Sequence, residues 1–165
     1  MNLVSILGSV ENLIIKNNTI TSDYDISEEL QKRVKKVHKG VAGMHETFPI
    51  LKSLQPVVFV EIESTSDNIS QLGNSAKRNV ELNFNIVSVV NYGLSVASEG
   101  ESREKLSLES IRLSQNIETL LRNHITISNT VDWCRIESVI YSTNIEETAY
   151  QNISIIPVNA ELLTT

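Results

Sequence analysis

Between Asn79 and Gly93 the chain alternates apolar and polar residues. Val80, Leu82, Phe84 and Ile86 share one parity, and Glu81, Asn83 and Asn85 take the other. A period of two is that of a strand with one buried face. Past Ile86 the pattern slips, because Val87, Val89 and Val90 put apolar groups on both faces. The C-terminal stretch AYQNISIIPVNAEL repeats the slip, with Ile153 and Ile155 on one parity and Ile156, Val158, Ala160 and Leu162 on the other. Either a bulge rotates such a strand partway along, or something covers its second face.

The other elements follow from spacing. Leu3, Ile6, Leu7, Val10, Leu13 and Ile14 recur at three- and four-residue steps, which predicts an amphipathic helix ending near Asn17 and Asn18. Asp25 and Glu28 stand at capping-box spacing ahead of Ile26, Leu30, Val34 and Val37, which predicts a second helix up to Gly40. The short run KRVKKVHK leaves a strand through Arg33 to His38 as the alternative. Residues 41–55 read as an ordered connection punctuated by Gly43 and Pro49, and PVVFVEIES as a strand. The tract from Ser64 to Arg78 reads as a long polar loop.

A helix is expected from Ser102 to Asn123, with Leu106, Leu113, Ile117, Leu120 and Leu121 on one side and Leu108 and Ile111 widening the stripe. Trp133–Tyr141 and Thr148–Leu163 complete the pattern as two strands about the turn STNIEE. Pro157 lacks an amide donor, which places its strand at an edge or a bulge. The expected architecture is a single α+β domain over 1–165, helical and variable over 1–55, with the sheet and the long helix over 56–165. The simplest such fold is a mainly antiparallel four-stranded sheet with two to three helices packed on one face.

Composition adds exclusions. A hydrophobic content of 41% and a charged content of 21% describe a chain that buries a core. With 5% aromatics, that core rests on Ile, Val and Leu. The net charge of −6 speaks against nucleic-acid binding by the whole surface. One cysteine, Cys134, excludes an intramolecular disulfide and a multi-cysteine zinc site. The start MNLVSILGSVENL has no basic leader and meets Glu11 early, so neither an export signal nor a membrane span is expected, and folding belongs to a reducing cytoplasm.

No catalytic, cofactor-binding or metal motif is present, and the chain is not expected to be an enzyme. Glu61 and Glu63 share a strand face and could pair, yet carboxylates so placed also discourage edge-to-edge pairing. His38, His45 and His124 have no second ligand at metal-binding spacing, and Cys134 has no base presented to it. The sharpest charge feature is Lys32, Arg33, Lys35, Lys36 and Lys39. It reads as a solvated face or as a patch that meets phosphates without reading sequence.

In this order the elements resemble those of the tail terminator (tail completion) proteins of long-tailed bacteriophages. The resemblance is carried by FPILKSLQPVVFVEIES, NVELNFNIVSVVNYG, REKLSLESIRLSQNIETLLRNH and CRIESVIYSTNIEETAYQNISIIPVNAEL, behind an amphipathic N-terminal helix. It implies a virion structural protein of the tail–neck region, assembled in the host cytoplasm without a membrane. A homo-hexameric ring would cap the tail tube, stop its polymerisation and join a head-side connector.

In such a ring Val87, Val89, Ile156 and Val158 would lie at subunit boundaries; the alternative is cover from their own subunit. Lys32, Arg33, Lys35, Lys36 and Lys39 would touch passing DNA weakly in the lumen. Other readings are a different neck or head–tail connector protein, a small enzyme, or a generic α+β interaction module.

Overall fold

The computed structural model describes residues 2–17, 34, 36–47, 56–69, 78–93, 100–145 and 149–164. Helix α1 spans Leu3–Ile15, opened by Asn2, whose side chain accepts from the Ser5 amide at 3.2 Å. Its apolar stripe buries Ile6, Leu7, Val10 and Ile14. Strand β1, Val37–Val41, leads to a single helical turn, α2, Met44–Thr47. Strands β2, Val57–Ile69, and β3, Arg78–Gly93, form a long hairpin. Helix α3, Gly100–Asn123, crosses back, and β4 (Trp133–Ile136), β5 (Ile140–Ile145) and β6 (Ala149–Thr164) complete the chain.

The sheet has six strands in the order β1-β2-β3-β6-β4, with β5 also bonded to β6. It is mixed, because β1 runs parallel to β2, in register Val37↔Val58 to Val41↔Ile62. This corrects the expected four-stranded antiparallel sheet in two places. Where the second helix was expected to reach Gly40, the chain is already in β1, and Val37 is buried against the main core. Its valines suit a strand as well as a helical face, and pairing with the apolar β2 decides between them. The strand expected from Trp133 to Tyr141 is two, broken at Glu137–Val139.

Pro157 explains that break. Its carbonyl accepts from the Glu137 amide at 3.3 Å. In extended backbone a residue's N–H and C=O point to the same side, so the donor that proline lacks faces the gap between β4 and β5. Pro157 therefore sits in a central strand, where two outer strands hand over.

The polar tract after Glu63 is also strand as far as Ile69, paired with Arg78–Asn83, and a bulge between Ile62 and Ser64 adjusts its register. Backbone pairing there outweighs the low strand propensity of Ser, Asp and Asn. The expected turn STNIEE is β5 up to Ile145, while Glu146 and Glu147 lie outside the described residues, as do Asp25, Glu28 and Pro49.

Helices α1 and α3 cover one face of the sheet. Ile6, Val10, Ile14, Leu113, Ile117 and Leu121 meet Val58, Val60, Leu82, Phe84, Ile86, Ile156, Val158 and Ala160 in the main core. Leu108, placed on the α3 stripe by spacing, is exposed. A second, smaller cluster of Val57, Phe59, Val87 and Val89 occupies the opposite face, with Met44, Ile153 and Ile155 packed on it. The slip in parity therefore marks cover on both faces. Strand β3 itself pairs with β6 without interruption from Arg78↔Thr164 to Gly93↔Ala149.

Candidate functional site

The face opposite the long helices is organised in rows across the strands. One apolar row runs Val57, Val89, Ile153, and the next Phe59, Val87, Ile155, Ile140. Then polarity changes: Glu61, Asn85, Pro157 are followed by Ser64, Asn83, Asn159, Arg135, and by Ser66, Glu81, Glu161, Trp133. Side chains link the polar rows. Asn159 donates to Asn83 at 2.7 Å, Asn83 to Ser64 at 3.1 Å, Ser66 to Glu81 at 3.3 Å, and the Trp133 indole to Glu161 at 3.1 Å.

Glu61 stands where the apolar rows end. It is 1% exposed. Its carboxylate accepts from the amides of Gly43 at 3.1 Å and His45 at 2.6 Å, and lies 3.0 Å from the His45 Nδ1. A buried carboxylate needs such donors, because an unpaired charge there is costly. Glu63 is the extra residue of the β2 bulge and is exposed, so the two carboxylates do not form a working pair. Dry and engaged on several sides, Glu61 is a structural anchor rather than a general base.

Two imidazoles flank Phe59: His38 stacks on it at 5.3 Å and His45 lies tilted at 6.4 Å. Burial first, and the Lys36 charge second, hold the His38 pKa below its ordinary value. Spacing gave no hint of the Glu61–His45 contact, which arises only because β1 lies along β2 and α2 folds over it.

Cys134 lines a hollow of about 220 Å³ with Leu121, Arg122, Ile125, Arg135 and Ile136. Burial pushes its thiol pKa up to about 11, which leaves little thiolate at neutral pH. A smaller cleft of about 120 Å³ between α3 and β5 is lined by Ser107, Ser110, Ile111, Tyr141, Ser142, Thr143, Asn152 and Ile153. There Tyr141 meets the Ser114 hydroxyl at 3.0 Å, and Thr143 donates to Asn152 at 3.1 Å. His124 follows α3 and is exposed. Among the described residues no three His, Cys, Asp or Glu side chains gather as metal ligands, and no helix is long and apolar enough to cross a membrane.

The subunit-contact candidates divide between the two clusters. Ile156 and Val158 lie in the main core and Val87 and Val89 in the second. In the single chain they are 0%, 2%, 0% and 1% exposed, which leaves them no area to offer a neighbour. Cover from the same subunit, the alternative left open by the pattern, accounts for all four. Among the residues whose exposure is described, the large apolar strand residues most open to solvent are Val41 at 72%, Ile140 at 51% and Tyr141 at 48%. They sit on β1 and β5, at opposite edges of the sheet.

Of the basic run, Lys32, Arg33 and Lys35 lie outside the described residues. Lys36 is exposed, while Lys39 is ion-paired with Glu11 of α1, which offsets its charge. Comparison of the chain with family models and with curated proteins finds no match to either.

Proposed function

We propose that this chain is a structural subunit of a bacteriophage tail, a ring-forming terminator that caps the tube and offers a joining surface to the head. The observation that carries the reading is the distribution of exposed apolar groups on the strands. Val41 lies on one outer strand and Ile140 and Tyr141 on the other. Two dissimilar edges suit a head-to-tail contact that closes on itself, whereas a two-fold dimer would use one edge twice. On this reading β1 and β5 make the subunit contact in place of Val87, Val89, Ile156 and Val158.

Length adds support. Strands β3 and β6 have 16 residues each. Straight, each would span about 50 Å, more than the roughly 40 Å width of a compact chain of this size. Such ribbons suit a subunit that reaches its neighbours. Contact with passing DNA through the basic run would be weak and would fade with salt, since Lys39 is already engaged by Glu11.

Phage assembled without this coding sequence should produce overlong or headless tails, and native mass spectrometry of the purified chain should find rings of one stoichiometry. Tails of normal length beside filled heads that leak would overturn the terminator reading in favour of a neck connector.

A further inference from the structure

The turn joining β1 to α2, together with Glu61, forms a unit for which the tail reading has no use. The Ala42 amide bonds to the Ile62 carbonyl at 2.9 Å, so β1 stays tied to β2 up to that point. Immediately after it Gly43 has φ +84°, a conformation that suits glycine and gives the backbone a hinge. The Gly43 and His45 amides and the His45 ring then converge on the one buried carboxylate. Between them Met44 lays its side chain on the cluster of Val57, Phe59, Val87 and Val89. Its seat depends on Gly40, where an added Cβ would stand 2.5 Å from the Met44 Sδ.

The choice of a carboxylate at this position has consequences. An apolar residue would hold the turn by burial and would resist exposure at every opening. A carboxylate is well solvated in water, so it lowers the cost of an opened state while its hydrogen bonds fix the geometry of the closed one. The closed turn is thus specific without being permanent, the property of a two-state element.

We infer that residues 43–46 are a hinged lid on the second face of the sheet, locked by Glu61 and able to open as a unit while the sheet stays folded. Opening hydrates Glu61 and lifts Met44 from the Phe59 cluster, where Val87 and Val89 also lie. The inference is independent of the tail reading.

Amide hydrogen exchange followed by NMR on the whole chain tests it. In the wild-type protein the Gly43 and His45 amides should exchange faster than those of Phe84 and Ile86 at the centre of β3, and with little dependence on added urea. Glu61→Gln should speed the two lid amides by about tenfold to a hundredfold, as expected for weakening hydrogen bonds to a buried acceptor. If that variant does not fold, Met44→Ala removes the apolar foot of the lid and should speed the same two amides. A urea dependence at Gly43 and His45 equal to that at Phe84 and Ile86 would mean that the turn leaves only on global unfolding, and would overturn the inference. So would unchanged lid exchange in folded Glu61→Gln.

Discussion

The pair Ser88 and Ser154 offers a sharp test of the packing between sheet and long helix. The two stand directly opposite on β3 and β6, both buried, with hydroxyl oxygens 2.5 Å apart. On the helix above them Ser110 and Ser114 are buried as well, and Ser114 bonds to Tyr141, the residue opposite Ser154 on β5. Small side chains on both layers let α3 approach the sheet closely. Replacing either strand serine alone by alanine removes one hydrogen bond and leaves the other hydroxyl dry and unpaired.

That should cost about 1–3 kcal/mol for each single variant. Removing both hydroxyls leaves two groups of similar shape with nothing unsatisfied, and should be nearly neutral. The losses must therefore fail to add, with a coupling energy of about 2–6 kcal/mol in magnitude. Urea unfolding followed by the fluorescence of Trp133, the one tryptophan, measures this. With a slope of about 2 kcal/mol/M the single variants should lower the midpoint by about 0.5–1.5 M, and the double variant by less than either. Additive losses would refute the reasoning, because each hydroxyl would then be held by a partner of its own.

Three further outcomes follow from particular residues. Ser128 is exposed at φ 57°, so Ser128→Gly should relieve a left-handed backbone and raise stability by about 1 kcal/mol, visible as a higher melting temperature. His38 should titrate below its ordinary 6.5 in NMR spectra. Because its folded pKa is depressed, its contribution is present above the unfolded value and lost as pH falls through the folded one. Lys36→Gln should recover only the smaller part of that shift, since burial is the larger cause. Tyr141→Asp combined with Ile140→Asp should leave monomers folded by circular dichroism and abolish rings in native mass spectrometry; rings that persist would remove β5 from the proposed contact.

Much of the fold was legible where one periodicity ran without competition. Helix α1 and the alternating half of β3 lie where spacing put them, because a face buried on one side must repeat at the period of its element. Legibility failed where two elements share a pattern or where pairing supplies what side chains do not. Val34 and Val37 fit a helical face until the apolar β2 lies alongside. Ser64 to Asp67 look like loop until β3 pairs with them. The candidate site was less legible still: Glu61, His45 and Gly43 are named by the sequence only as unrelated polar and turn residues.

Taken alone, the order of residues determined the period of each long element and its core-facing side. It also marked where apolar groups appear on the second face of β3 and β6. Which body covers that second face, a neighbour or the chain itself, is a question about residues distant in sequence, and only the tertiary structure decided it. Met44 packs on the Phe59 cluster because a parallel strand brings the turn over that face, and the Glu61 carboxylate is dry because that turn delivers its donors. Local patterning encodes which side of an element avoids water, while the identity of its cover depends on chain crossings that no local period records.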